Sequence, residues 1–152
     1  MRISFDLDET LFIDPEKITP EPKMKIPFCW IYKEQLRLGA PELLRRINKN
    51  GMELWIYTTS FRPISYVKKY FKYYGVKIDR VINGQVHRDE VQRNFNKILP
   101  SKMPSRYRID LHVDDEIQIK QYGSIYGFKV FLLNKENKAW VEELWNLICE
   151  LK

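Results

Sequence analysis

The sequence predicts an α/β protein built on a doubly wound, mainly parallel five-stranded sheet with helices on both faces. Short apolar segments of β character alternate with segments of helical periodicity, two of the apolar segments end in acidic residues, and another ends in hydroxyl residues. This alternation is typical of parallel sheets, because each crossover helix covers one face of the sheet. A length of 152 residues fits one domain, residues 1–152.

The first predicted strand, residues 3–5, begins almost at the N-terminus and is followed by Asp6 and Asp8. In an open α/β sheet, chemistry takes place beyond the carboxyl ends of the strands. Two neighbouring carboxylates raise each other's pKa, and a hard cation such as Mg²⁺ offsets their repulsion. These acids are therefore candidates for a metal and catalytic site, and the alternative is a solvated acidic turn that caps a helix.

Residues 13–38 contain four prolines, which interrupt any regular element. We expect a long loop that returns to the core through an aromatic segment, with Trp30 and Tyr32 as core residues. Loops of this length in a compact domain are often functional.

A helix and an apolar strand, residues 40–57, lead into a run of hydroxyl residues. Thr58 stands at the end of the strand, where its hydroxyl can donate to a phosphate oxygen, and Thr59, Ser60 and Arg62 follow as candidate substrate-binding residues. The alternative is that Thr58 or Ser60 caps the next helix, which is compatible with anion binding.

A second acidic strand end is formed by Asp114 and Asp115. The alternative interpretation of these two residues is a helix N-cap with a favourable dipole.

Of the two histidines, His112 lies in an apolar strand and is expected in the core, whereas His87 can reach substrate. The other predicted elements are a helix at 64–74, a strand at 78–82, a turn at Asn83–Gly84, a short helix near 90–96, strands at 109–113 and 128–133, and a closing helix at 136–151.

Charge is unevenly distributed. Residues 62–108 hold twelve basic and three acidic residues, which gives this stretch a net charge of +9. Such a field attracts anionic substrates and nucleic acid, and the alternative is an ordinary solvated surface. The absence of an apolar run of eighteen residues, the absence of a signal peptide and two isolated cysteines, Cys29 and Cys149, predict a cytoplasmic protein without a membrane span.

The segment Asp-Leu-Asp-Glu-Thr after a strand resembles the first motif of the haloacid dehalogenase (HAD) superfamily. In that family the first Asp is a nucleophile that becomes an aspartyl-phosphate, and the second is the general acid and base. The resemblance implies these roles for Asp6 and Asp8. Many members have Gly before the Thr, and here Glu9 stands there. In this respect Asp-Leu-Asp-Glu-Thr-Leu locally resembles the branch that contains the phosphatases of the RNA polymerase C-terminal tail.

The other HAD motifs have counterparts in the same order. Thr58 matches the second motif, Lys102 or Lys97 matches the third, and Asp114 matches the fourth. We favour Lys102, because it lies in a short proline-bounded turn. The resemblance implies a Mg²⁺ site formed by Asp6, the carbonyl of Asp8 and Asp114, with Asp115 as a neighbouring carboxylate or a ligand through water.

The sequence thus predicts a Mg²⁺-dependent phosphatase that cleaves a phosphomonoester through an aspartyl-phosphate. The resemblance also implies a capless or minimally capped enzyme with an open site, because residues 13–38 are too few for a cap domain. The rival hypothesis is a HAD-like binding domain that uses its basic face for nucleic acid or a protein partner. The sequence does not determine the substrate or the oligomeric state.

Overall fold

The computed structural model describes all 152 residues. The strands are β1 (Arg2–Phe5), β2 (Phe12–Ile13), β3 (Gln35–Leu36), β4 (Glu53–Tyr57), β5 (Arg80–Ile82), β6 (Leu111–Asp114) and β7 (Val130–Leu132). The helices are α1 (Phe28–Ile31), α2 (Ala40–Lys49), α3 (Ile64–Tyr73), α4 (Gly84–Glu90), α5 (Ile117–Tyr126) and α6 (Trp140–Leu151), with 3₁₀ turns at Gln92–Asn94 and Pro104–Tyr107. None of the helices combines the length and the apolar character that crossing a bilayer requires.

The main sheet is parallel throughout and has the order β5-β4-β1-β6-β7, so the predicted five-stranded fold is confirmed. β1 lies between β4 and β6. β2 and β3 form a separate antiparallel ribbon.

Alternating residues of the strands face opposite sides of the sheet. Ile3 and Phe5 of β1 belong to the largest hydrophobic cluster, which also contains buried side chains of α2, α3 and α6. On the other face, Trp55 and Tyr57 of β4 form a smaller cluster that packs against Val86 of α4. Helices therefore cover both faces.

The segment 13–38 is more ordered than the predicted loop, because it contains β3, α1 and the end of β2. The prediction that Trp30 is a core residue is wrong, since its exposed fraction is 66%. α1 has only four residues, and a single turn that packs on one side leaves its other side in solvent. Tyr32 does pack inward, with its ring 5.1 Å from that of Tyr66 and 5.4 Å from that of Tyr70.

The region after β5 also differs from the prediction. Asn83 does not form a turn with Gly84 but is the N-cap of α4, where its side-chain oxygen accepts a hydrogen bond from the Val86 amide at 3.0 Å. The predicted helix near 90–96 is reduced to one 3₁₀ turn. Asn is among the strongest N-cap residues, so α4 starts directly after Asn83, and it ends at Glu90, where the predicted short helix was expected to begin.

Candidate active site

Three strands of the sheet deliver the candidate site residues to one edge. Asp6 follows β1, Thr58 follows β4 and Asp114 ends β6. Backbone hydrogen bonds hold two of these positions, from the Asp6 amide to the Val113 carbonyl at 2.9 Å and from the Thr58 amide to the Ile82 carbonyl at 2.9 Å. All three side chains are buried, with exposed fractions of 4% for Asp6 and 0% for the others.

Lys102 connects the two buried aspartates. Its Nζ atom lies 3.1 Å from Oδ1 of Asp6 and 2.6 Å from Oδ2 of Asp114, and the side chain is only 1% exposed. Lys97, the alternative, is exposed and has no ion pair. The structure therefore brings Lys102, and not Lys97, to the acidic strand ends.

Asp114 is held by further hydrogen bonds. Nε2 of His112 lies 2.9 Å from Oδ2 of Asp114, and the Glu116 amide donates to Oδ1 at 2.9 Å. Nδ1 of His112 lies 2.7 Å from the Ser4 hydroxyl. Burial lowers the pKa of His112, so a neutral ring that donates from Nε2 and accepts from Ser4 fits this arrangement. His112 is thus a buried residue, as expected, and it also orients Asp114.

The two central carboxyl groups have opposite pKa shifts. Burial raises the pKa of Asp6 to about 7, because the loss of solvation outweighs the charge of Lys102. Burial also acts on Asp114, but His112 and Lys102 overcome it and lower its pKa to about 2. A negative Asp114 beside Asp6 therefore adds to the cost of ionising Asp6.

Asp6, Asp114 and Asp115 can hold a metal ion, since one carboxylate oxygen from each lies within 4.8 Å of the others. Asp115 accepts a hydrogen bond from the Thr10 hydroxyl at 3.1 Å, and burial raises its pKa. Lys102 neutralises only one of three carboxylates. An all-oxygen donor set with excess negative charge fits a hard divalent cation such as Mg²⁺.

Asp8 lies apart from this cluster, and 52% of its side chain is exposed. Arg62 donates to both of its carboxylate oxygens, each at 2.9 Å. The same guanidinium donates to Glu34 at 3.1 Å and to the Ser60 hydroxyl at 2.9 Å. These bonds join the second acid of the first motif, the hydroxyl-rich loop and the 13–38 segment.

The hydroxyl-rich loop has its own internal hydrogen bonds. The Ser60 amide donates to the Thr58 hydroxyl at 3.2 Å, and the Arg62 amide donates to the Ser60 hydroxyl at 3.1 Å. Neither hydroxyl caps α3, whose N-cap is Pro63 without a side-chain cap bond, so the capping alternative is wrong. Thr59 is exposed at the surface.

Sequence reasoning missed two contacts that hold the turn carrying Lys102. The Tyr57 hydroxyl accepts a hydrogen bond from the Met103 amide at 2.9 Å and lies 2.6 Å from Nδ1 of His87. His87, which we expected to reach substrate, is 9% exposed and points inward to this hydroxyl. In the sequence, Tyr57 is the last residue of a largely apolar predicted strand. No local pattern indicates that its hydroxyl holds the turn that carries Lys102.

Two further residues support the first motif. Arg37 is 2% exposed and donates to the carbonyls of Thr10 at 2.8 Å and Glu9 at 3.0 Å. Glu9 has a φ of 62°, in the left-handed region that favours glycine. The bonds from Arg37 thus hold the first motif at a position where the backbone of Glu9 is strained.

The comparisons with known proteins agree with this fold. No protein-family model and no curated protein matches the sequence. The crystal structure of a HAD-superfamily hydrolase from Ehrlichia chaffeensis matches with a TM-score of 0.55 and 16% identity, over 99% of this chain and 96% of that one. A predicted HAD-like family hydrolase from Porphyromonas gingivalis matches with a TM-score of 0.51 and 10% identity, over 97% of both chains. At these identities the similarity shows that the chain has a HAD-like fold.

Proposed function

We propose that this protein is a Mg²⁺-dependent phosphatase that hydrolyses a phosphomonoester through an aspartyl-phosphate on Asp6. The observation that carries this proposal is the buried group of Asp6, Lys102 and Asp114 at the carboxyl edge of the sheet. Clustering carboxylates in a buried site costs stability, and binding a phosphate and its cation offers a physical reason for it.

In the proposed reaction, a carboxylate oxygen of Asp6 attacks phosphorus and the ester oxygen leaves. Lys102 restrains Asp6 from one side and, with the Thr58 hydroxyl, offers hydrogen-bond donors to the phosphoryl oxygens. A bound Mg²⁺, held by Asp6, Asp114, Asp115 and the carbonyl of Asp8, supplies positive charge that screens the phosphate.

Asp8 is the proposed general acid and base. In its protonated form, the exposed Asp8 carboxyl group gives its proton to the leaving oxygen. The carboxylate that remains then accepts a proton from the water that hydrolyses the aspartyl-phosphate. Arg62, which holds both oxygens of Asp8, is a proposed substrate ligand together with Thr59 and Ser60. A phosphate that approaches this loop competes with Asp8 for Arg62, so substrate binding frees the acid for proton transfer.

The ribbon and short helix in residues 13–38 take the place of a cap in this proposal, within a single domain of residues 1–152. Glu34 from this segment reaches Arg62, and its other oxygen accepts from the Tyr66 hydroxyl at 2.6 Å. The segment thus borders the site through Glu34, and this contact supports our proposal of a minimally capped enzyme.

A screen of phosphomonoesters with Mg²⁺ or with EDTA tests the proposal. It includes phosphopeptides, because the first motif is similar to the polymerase-tail phosphatases. We expect hydrolysis that needs Mg²⁺ and disappears in Asp6→Asn. The matched control is Asp110→Asn, since Asp110 is an exposed carboxylate at the other end of β6 that accepts from the Arg2 amide. Equal activity of the Asp6 and Asp110 variants contradicts the proposal.

A second candidate function is a binding domain that holds nucleic acid on its basic face. In the stretch 62–108, eight of the twelve basic residues have no ion pair. Salt-sensitive nucleic-acid binding that survives Asp6→Asn, without hydrolysis of any ester, favours this candidate.

A further inference from the structure

An exposed aromatic side chain stands beside the candidate active site and has no part in the reaction above. Phe61 follows the hydroxyl-rich loop and is 59% exposed. The guanidinium carbon of Arg88 lies 5.2 Å from the centroid of its ring, within the range of a cation–π contact. A Cβ atom at Gly84 would approach the Phe61 ring to 2.9 Å, so the ring rests against a position that only glycine fits.

Two hydrogen bonds join the loop that carries Phe61 to the start of the helix that carries Arg88. The Gly84 amide donates to the Ser60 carbonyl at 2.9 Å, and Nδ2 of Asn83 donates to the Arg62 carbonyl at 3.1 Å. Arg62 in turn holds Asp8, the proposed proton donor to the leaving group. Phe61 therefore directly precedes Arg62, and Arg62 contacts Asp8, the residue that we propose protonates the leaving group.

The segment that carries Arg88 is rich in unpaired positive charge. Asp89 is the one acid of residues 84–108 without a basic partner, since Glu90 pairs with Arg80 at 2.7 Å. Five exposed cations of the same segment have no carboxylate partner, and they are Arg88, Arg93, Lys97, Arg106 and Arg108.

We propose that Phe61 and Arg88 form a subsite for the leaving group and that this group is a nucleoside. The substrate is then a nucleoside phosphomonoester, either a free nucleotide or the phosphorylated end of a strand. This inference rests on the proposed function and names its substrate class. A base stacks on the exposed ring of Phe61, and the guanidinium of Arg88 adds a planar, positively charged partner.

The chemistry of the subsite favours a nucleoside over a peptide. A phosphorylated serine or threonine side chain carries no planar group, so it gains little from an exposed ring, whereas a nucleoside carries its base one sugar away from the ester oxygen. In the proposed hydrolysis the phosphorus–oxygen bond breaks, the nucleoside oxygen takes a proton from Asp8, and the oxygen of water ends in the phosphate. No redox partner is needed.

The test compares kcat/KM for 3′- and 5′-mononucleotides, a single-stranded oligonucleotide with a terminal phosphate, a phosphoserine peptide and glycerol phosphate. The quantity of interest is the ratio of kcat/KM for a nucleotide to that for glycerol phosphate. We expect Phe61→Leu to lower this ratio about tenfold, within the range of a lost base–aromatic stack. Phe61→Trp should keep or raise it, and Phe28→Leu, which changes an exposed aromatic of α1, should leave it unchanged.

Comparison of the oligonucleotide with the mononucleotides tests whether the substrate is the phosphorylated end of a strand or a free nucleotide. If the substrate is a strand end, Arg88→Gln lowers kcat/KM for the oligonucleotide more than for the mononucleotide, and the difference shrinks at high salt. A phosphopeptide preference that Phe61→Leu does not alter overturns the inference and leaves the proposed function standing. Absence of hydrolysis of every ester contradicts the proposed function. In that case, equal nucleotide affinity of wild type and Phe61→Leu in equilibrium dialysis contradicts the subsite.

Discussion

The substitution Lys102→Met removes the one positive charge between Asp6 and Asp114 and keeps a flexible side chain of similar length. At an effective dielectric constant of about 20, a unit pair at the 3.1 Å separation of Lys102 and Asp6 is worth about 5 kcal/mol. Part of this energy offsets the desolvation of the ammonium group. Removing one partner of a buried ion pair costs about 3–5 kcal/mol, because a charge is left uncompensated.

Removal of the Lys102 ammonium group lowers the rate of catalysis in two ways. Lys102 lowers the pKa of Asp6 against the effect of burial, so its removal raises that pKa above about 7 and leaves fewer carboxylates to attack phosphorus at neutral pH. It also removes a donor to the phosphoryl oxygens, an effect of about 10²–10³ in turnover for comparable donors. We therefore expect turnover to fall by two or more orders of magnitude at pH 7, with part of the loss recovered as the pH is raised.

Lys97→Met is the matched control, because it removes the same charge from an exposed position. We expect a change of several-fold at most, which fades at high ionic strength as solvent charges screen the field. Both variants are assayed against one phosphate ester at low and high salt. A large, salt-independent loss in Lys97→Met with near-normal activity in Lys102→Met refutes this reasoning.

Four further outcomes follow from the site. Asp6→Asn should abolish turnover while circular dichroism shows an intact fold, since an amide is nearly isosteric with a carboxylate but is a poor nucleophile; retained activity removes Asp6 from the mechanism. Asp114→Ala should weaken Mg²⁺ binding more than Asp115→Ala in a calorimetric titration, because Asp114 is fully buried, and the reverse order contradicts this. Mg²⁺ affinity should fall as the pH drops below about 7, because protons compete for Asp6, and a constant affinity from pH 8 to 6 opposes the raised pKa. Tyr57→Phe should destabilise the fold by about 1–3 kcal/mol in urea unfolding, since the buried Met103 amide loses its acceptor; an unchanged midpoint shows that the amide finds another.

The acidic strand ends were predictable because their signals are local. An apolar run that stops at Asp6 or Asp114 marks both a buried strand and the edge where it ends, and parallel pairing brings those edges together. Lys102 was a candidate through the resemblance to the third HAD motif, and its proline-bounded turn favoured it over Lys97. The prediction of the strand ends required only the order of residues within a single segment.

Other features depend on contacts between distant segments and could not be predicted in this way. Glu34 meets Arg62 across 28 positions, and Tyr57 meets Met103 across 46. Trp30 was assigned to the core because bulky aromatic residues are usually buried, but a four-residue helix cannot bury its whole circumference. Whether an aromatic residue of a short helix is buried depends on which other segments pack against that helix. The local sequence does not reveal those contacts.

The most direct test of the central claim is to trap the phosphorylated enzyme. Protein turning over a radiolabelled phosphomonoester with Mg²⁺ is quenched in acid and digested, and the peptides are analysed by mass spectrometry. The proposed mechanism predicts one added phosphoryl group on Asp6 that hydroxylamine removes and that Asp6→Asn lacks. Label on a different residue, or steady turnover with no labelled peptide in the wild type, contradicts an aspartyl-phosphate at Asp6.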